Sequence, residues 1–285
     1  MRTCQNSERG DVRILARGGR MRFGFGAKWS AVVALLFATA CGLPRNEKSV
    51  TQCVIGNDQL STINGKWDVT PVRIALGGLV GAVEGSDTVN DKLLIQTSAE
   101  VWNRFSMISF GYPIIDYREP GSGVRVDSWD TGGFPACSID LLATDEKSFV
   151  DPIVIRKRAA WPPDLSESVI ALTTTCPRRQ ACKGLGCRYK MSIIELNLQH
   201  YFAPGKPQPD PISILVHEMG HMLGLGHSCE YRSADGIPDC NSKYLPKAYK
   251  NAVMFPQFLV TREGPGEVRS KLNANDMGRT NCIYK

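Results

Sequence analysis

HEMGHMLGLGH, residues 217–227, holds three of the four histidines in a chain of 285 residues. Its pattern is H-E-x-x-H-x-x-G-x-x-H. On a helix, His217 and His221 stand four residues apart, so both imidazoles point the same way. Glu218 lies beside them and can reach a water held on a shared metal. A third ligand must then come from beyond the helix. Gly224 tolerates the left-handed conformation that ends many helices, so the chain can turn there and bring His227 in from another side. Three neutral imidazoles with an open fourth position are the donor set of a catalytic zinc site; a structural zinc is closed by four protein ligands. The competing reading is a helix that carries histidines for no shared purpose. The spacing, and the scarcity of histidine elsewhere, weigh against it.

The surrounding sequence suits such a helix. Asp210 can cap it and Pro211 fits its first turn. Ile212, Leu215, Val216, Met219 and Leu223 form a stripe that would bury one face and hold it rigid. His200 is read as a surface or loop histidine, because the metal already has three ligands.

Two further stretches complete a resemblance. HEMGHMLGLGH resembles the zinc signature of the metzincin metallopeptidases, the matrixin branch in particular. That family adds a methionine turn downstream, and Met254 with Phe255 and Pro256 after it resembles the matrixin form. Residues 272–284 (LNANDMGRTNCIY) resemble the matrixin closing helix, with Asp276 and Tyr284 at the expected places. The resemblance covers roughly residues 65–285 and is strongest in the C-terminal third. It implies an α+β fold: a twisted mixed sheet with an active-site helix, a Met-turn and a C-terminal helix. It implies His217, His221 and His227 as zinc ligands, Glu218 as the general base, Gly224 as the turn and Met254 as the support beneath the metal. Proteins or peptides would be the substrates. By the same analogy residues 191–197 (MSIIELN) are the strand before the zinc helix and the upper edge of the cleft, where an extended substrate could pair. The loop over residues 228–250 would wall the primed-side pocket.

Composition is that of an ordinary globular chain, 42% apolar and 22% charged. The net charge of +6 is mild and scattered, with much of the excess in the first 30 residues, so nucleic-acid binding is not expected. A monomer is expected. Ten cysteines are many for a cytosolic chain. Setting aside Cys4 and Cys41 leaves an even eight, which suits an oxidising compartment and up to four disulfides. Cys229 and Cys240 are the local pair expected to bridge, stapling the loop between them. A cysteine-zinc site around Cys176, Cys182 and Cys187 lacks the tight pairs such sites use.

Residues 1–40 read as an export signal. Arg20, Arg22 and Lys28 precede the apolar run WSAVVALLFATA at 29–40, about a dozen residues and too short to span a membrane. Met21 makes a more typical signal start than Met1, which would set residues 1–20 aside as an extension. The run ends in Ala38-Thr39-Ala40-Cys41. Small residues before a cysteine resemble the bacterial lipoprotein box, which implies lipidation at Cys41 and anchoring to the cell envelope. Ordinary cleavage and secretion, with Cys41 in a disulfide, is the alternative. Cys41-Gly42-Leu43-Pro44 superficially resembles the matrixin cysteine switch, but Ala40 and Arg45 stand where that motif has Arg and Asp. The sequence offers no propeptide-sized segment there.

Residues 41–65 read as a polar tether and 66–285 as the catalytic domain. Residues 67–76 alternate as a first strand, 77–90 form a Gly-rich loop, 91–105 a core-facing helix and 107–110 the next strand. Residues 112–134 are rich in Gly, Pro and Asp. Asp127, Asp130 and Gly132 could hold calcium, but EF-hand spacing is missing, and a solvated loop is the preferred reading. Residues 153–155 and 169–174 are short β-rich runs, and 176–187 a basic disulfide-stapled loop. Asn273 and Asp276 form a capping box that starts the last helix near 273, with Leu272 and Met277 spaced as a staple. Together these imply a zinc endopeptidase. The competing function is a membrane-anchored binding or adhesion lipoprotein with a non-catalytic metal site, which would have no need of Glu218.

Overall fold

The computed structural model describes residues 10–11, 13–14, 52–53, 57–76, 88–118, 153–177, 184–202, 205–231, 236–261 and 266–285. In chain order the elements are β1 (Gly10–Asp11), β2 (Arg13–Ile14), a 3-10 turn over Asn57–Thr62, β3 (Val72–Leu76), α1 (Thr88–Phe110), β4 (Ile115–Arg118), β5 (Ile153–Arg158), β6 (Ala171–Pro177), β7 (Tyr189–Asn197), α2 (Pro211–Met222), the single turn α3 (Lys247–Lys250), β8 (Gln257–Phe258) and α4 (Ala274–Tyr284). The fold is mixed α+β, as the sequence implies. Cys41 and the apolar run 29–40, the calcium candidates Asp127, Asp130 and Gly132, and residues 178–183 of the cysteine-rich loop lie outside the described residues.

The larger sheet runs in the order β1-β6-β7-β5-β3-β4. β4, β3, β5 and β7 are parallel neighbours, and α1 makes the crossover that parallel β3 and β4 require. β6 returns antiparallel to β7. A strand with neighbours on both sides and packing on its faces reads as one long buried run. β7 fits, being buried along nearly its whole length, Glu195 included. That carboxylate accepts from Arg158 Nε on β5, so a buried charge is met by a buried partner.

α1 turns Ile95, Ala99, Trp102 and Phe105 into the core at three- and four-residue intervals. Trp102 Nε1 donates to Val216 O at 3.0 Å and locks α1 against α2. The other side of α2 lies on β6 and β7. The helix that carries the motif is therefore held between a helix and a sheet, which explains why residues 213–222 are all buried.

Five expectations are corrected. The helix read over 91–105 runs from Thr88 to Phe110, so 107–110 is its last turn and not a strand. Met107 and Ile108 misled because they are apolar yet exposed, at 51% and 65%. Phe110 folds back edge-on to Phe105 at 5.6 Å, and Gly111, at φ +82°, ends the helix. The next strand is β4, inside the stretch read as a Gly/Pro/Asp-rich loop. Asn103 pairs with both the N–H and the C=O of Ile115 at 2.9 Å, which pins β4 to α1. The first strand is shorter than read. Trp67 precedes β3 and instead donates from Nε1 to Met222 O at 2.8 Å, holding the end of α2.

The fourth correction concerns the sheet edge. The strand before the zinc helix, β7, lies between β6 and β5 and offers no free edge. A strand flanking the helix had to be chosen from sequence without knowing that β6 returns antiparallel outside it. Residues 57–65 also belong to the packed body and not to a free tether: Gln59, Thr62 and Ile63 are buried, and Ile63 bridges to Leu225.

Cys229 pairs with Cys240, as read from sequence, and Cys53 with Cys282 across a separation of 229 residues. Cys176 and Cys187 are disulfide-bonded as well. These bonds point to an extracellular or otherwise oxidising environment. Among the described residues no helix is long and apolar enough to cross a membrane.

Candidate metal centre

α2 starts where the sequence places it. Asp210 Oδ2 accepts from Ser213 N at 2.9 Å and Pro211 occupies the first turn. His217 and His221 stand four positions apart, and their rings meet edge to face with centroids 4.7 Å apart. The helix stops at Leu223, and Gly224, at φ +102°, turns the chain. No side chain fits there: a Cβ would stand 2.0 Å from Gly65 O. The turn is fastened to residues 62–65, because Asn64 N donates to Gly224 O at 2.8 Å and Gly226 N to Thr62 O at 2.6 Å. His227 thereby comes within 4.8 Å and 5.4 Å, ring to ring, of His221 and His217.

The three imidazoles offer ligand atoms that all lie within 4.8 Å of one another. Their outer nitrogens fix what the inner ones can do. His217 Nδ1 meets Val253 O at 2.7 Å and His221 Nδ1 meets Leu225 O at 2.8 Å. A carbonyl only accepts, so each Nδ1 carries the proton and each Nε2 keeps its lone pair. His227 Nδ1 faces Glu230 Oε1 at 3.2 Å, which orients it the same way. Burial, reinforced by the neighbouring rings, holds His217 and His221 well below the ordinary imidazole pKa, so both stay neutral.

The inner nitrogens need a shared partner. His217 Nε2 and His221 Nε2 face each other at 3.0 Å with no proton left to bridge them, and His227 Nε2 is buried without any hydrogen-bond partner. Ligands about 2.0–2.1 Å from a tetrahedral zinc stand about 3.3 Å apart; the His217–His221 pair is already near that spacing at 3.0 Å, and the triad as a whole lies within 4.8 Å, so the rings close in when an ion binds. The triad can thus hold a metal ion, and the outer Nδ1 bonds are the oriented second layer that metal-binding histidines use.

Glu218 is fully buried beside His217, and its Oε2 accepts from Thr173 Oγ1 at 2.5 Å. Thr173 lies on β6, so the sheet sets the carboxylate's direction. Met254 is buried against the back of α2, where a Cβ on Gly220 would meet its Sδ at 2.2 Å. His200 stands apart, its backbone N–H donating to Asn197 Oδ1 at 3.1 Å.

Several residues that shape the site went unread. The sequence marks Asp276 as a helix cap and as a position of the closing-helix resemblance. It completes that cap, but its two oxygens also accept from Val253 N at 2.9 Å and Met254 N at 3.2 Å. Val253 O in turn orients His217, so α4 reaches the metal centre through one peptide unit. Burial pushes the Asp276 carboxyl up, while Arg279 and the three backbone N–H groups pull it back. Arg279 Nη1 donates to Gly226 O at 2.9 Å and to Thr62 Oγ1 at 3.1 Å, beneath the turn that carries His227. Thr173 carried no signal at all, since a threonine in a β-rich run is unremarked.

No protein-family model matches the chain, and no curated protein matches it.

Proposed function

We infer that the chain is a zinc-dependent endopeptidase of the metzincin type, resembling the matrixin branch, that hydrolyses peptide bonds in proteins. The observation that carries this is the convergence of three buried imidazole Nε2 atoms next to a carboxylate whose direction is fixed by Thr173. His217, His221 and His227 would hold the metal. When bound, zinc supplies a water of near-neutral pKa and polarises a carbonyl. Glu218 takes the proton from the attacking water and passes it to the leaving amine. Thr173 keeps the carboxylate aimed during both transfers. Val253 O and Leu225 O hold two imidazoles in the tautomer that leaves Nε2 basic. Met254 fills the space behind α2 and keeps both helical histidines in register. The chain would act as a monomer, exported by residues 1–40 and anchored through a lipid on Cys41.

The test separates metal from chemistry. Glu218→Gln should keep zinc, because every ligand is intact, and lower casein or peptide cleavage by about 10²–10⁴-fold. His221→Ala should lose both, since two protein ligands remain where three are needed. A Glu218→Gln protein that cleaves at the wild-type rate refutes the mechanism. A zinc-free wild-type protein refutes the metal.

A further inference from the structure

The large apolar side chains left in solvent are not scattered. Of the nine exposed among the described residues, five gather at one pole: Val69, Met107, Ile108, Tyr112 and Leu185. The topology puts them there. β3 is parallel to β4 and β5, and β5 to β7, so β3, β4 and β7 all begin at this end. α1, the crossover between β3 and β4, ends here. Val72 N donates to Ile114 O at 2.8 Å, which brings the approach to β3, with Val69, level with the approach to β4, with Tyr112. Ser106 Oγ donates to Tyr112 O at 2.9 Å and the Tyr112 ring lies 5.7 Å from Phe110, so Tyr112 stays against the last turn of α1, beside Met107 and Ile108. On the other flank Arg188 pairs with Asp68 at 2.8 Å and donates to Leu185 O at 2.6 Å, which joins the neighbour of Val69 to Leu185.

The chain enters the packed body at the same pole. Cys53 is exposed and bonded to Cys282 in the last turn of α4, and Asn281 Nδ2 donates to Gln52 O at 3.1 Å. Tyr284 OH donates to Leu223 O at 2.8 Å, and Trp67 Nε1 donates to the preceding carbonyl, Met222 O, also at 2.8 Å. The end of α4 therefore lies against Trp67, two positions before Val69. Cys41 stands twelve positions before Cys53. A chain of that length spans about 20 Å when relaxed and about 40 Å when extended. A lipid on Cys41 holds this pole within that distance of the bilayer.

We propose that this pole is a bilayer-docking face, with Val69, Met107, Ile108, Tyr112 and Leu185 seated in the headgroup region of the membrane that holds the chain. The inference rests on the lipid-anchor part of the functional reading for the choice of lipid as occupant; the face itself is a property of the fold. Clustered apolar surface of this kind marks an interaction site. Tyr112 suits the level where a ring meets both acyl chains and headgroups. Lys66, bridged to Arg188, together with Lys190 on β7 and Lys285 after α4, adds positive charge around the face, which suits an anionic lipid surface. A tethered face acts at an effective concentration on the order of 1 mM, so one too weak to hold free protein still orients an anchored one. The height and tilt of the metal centre over the lipid then follow from two points, Cys41 and this face.

The test uses the mature chain as exported, combined with vesicles of phosphatidylethanolamine and one quarter phosphatidylglycerol, with or without bromine on the acyl chains. Bromine quenches tryptophan only on close approach. Two variants place a tryptophan on the outer face of α1: Ile108→Trp at the pole, and Leu93→Trp about 22 Å back along the helix. A docked face sinks about 5–10 Å into the boundary, so brominated lipid should remove about half of the fluorescence that Ile108→Trp adds over wild type, and none of what Leu93→Trp adds. No quenching at Ile108→Trp, or as much at Leu93→Trp, overturns the proposal. A dimer in detergent that Ile108→Asp splits, without quenching in vesicles, gives the face to a second copy and overturns it too. The mass of the N-terminal peptide reports the anchor separately. Unmodified Cys41 with quenching at Ile108→Trp removes the anchor and leaves the face. A lipid on Cys41 without quenching removes the face and leaves the anchor, and unmodified Cys41 without quenching removes both.

Discussion

Gly220→Ala, in the middle of α2, sets two effects against each other. In a helix exposed to water, alanine in place of glycine gains about 1 kcal/mol. Here the added Cβ would lie 2.2 Å from Met254 Sδ and 3.1 Å from both Met254 Cε and Trp102 Cζ2. A thioether is flexible, but Met254 is fully buried, and Trp102 is fully buried with its indole tied to Val216 O. The sulfur must retreat by more than 1 Å into a filled core, which belongs at the upper end of the roughly 1–3 kcal/mol that overpacking costs. The net expectation is a loss of about 2 kcal/mol. Met254→Ala by itself should cost about 2–5 kcal/mol through the cavity it leaves. In the Met254→Ala background the clash with the thioether is gone and the Trp102 ring, still 3.1 Å from the new Cβ, can yield into the vacated space, so Gly220→Ala should stabilise by about 1 kcal/mol. The coupling between the two sites is then about 3 kcal/mol. Urea unfolding of the four oxidised proteins measures it, with an unchanged m-value as the check on two-state behaviour. A Gly220→Ala effect that is the same with and without the Met254 side chain refutes the packing argument. It would also remove Met254 as the support behind the two helical histidines.

Gly224→Ala meets backbone instead of a side chain, 2.0 Å from Gly65 O and at φ +102°. Strain and overlap together should cost about 3 kcal/mol or more and lower zinc content by displacing His227; a variant within 1 kcal/mol of wild type contradicts this. Asp276→Asn leaves Arg279 without its carboxylate and puts an amide NH2, which cannot accept, against one of the two backbone N–H groups of Val253 and Met254. It should cost about 3 kcal/mol in urea unfolding, and a loss under 0.5 kcal/mol would mean that the buried pair contributes nothing. Replacing Cys229 and Cys240 together by alanine opens a loop of 11 residues. The chain-entropy cost is about 3 kcal/mol, and an unchanged midpoint of unfolding under oxidising conditions would show the bridge to be redundant.

The site was legible where chemistry demands a residue type at a fixed spacing. His217 and His221 follow from the helical repeat, and His227 from the need for a third donor beyond a residue that can turn. The cap at Asp210, the capping box at Asn273 and Asp276 and the bridge between Cys229 and Cys240 are likewise short-range, and each stands where it was read. What stayed hidden is long-range. Thr173 touches Glu218 across 45 positions of sequence, and Asn275 Nδ2 reaches Gln59 Oε1 across 216. No local pattern encodes such meetings, because they depend on which strand lies beside which. The sheet edge was misassigned for that reason. The strand at residues 107–110 failed for another: alternation is ambiguous over four residues, and the exposed Met107 and Ile108 imitated a strand's buried face.

The long-range contacts share one destination. Val253, Leu225 and Glu230 each orient one imidazole, and they come from three different turns. Asp276 fixes the first through the Val253 amide, and Arg279 fixes the second through Gly226 O. Gln59 joins in by donating to Ser228 O at 3.0 Å while accepting from Asn275 Nδ2 at 2.7 Å. α4 is therefore the common support of the ligand turns, and the Cys53–Cys282 bond fastens that helix to the strand of chain just before the 3-10 turn. A metal site needs its ligands held within about 0.5 Å of the productive geometry. Two histidines on one helix gain that precision from the helix itself. The third, on a turn, gains it only because the last helix of the chain and the segment at residues 57–65 close around it.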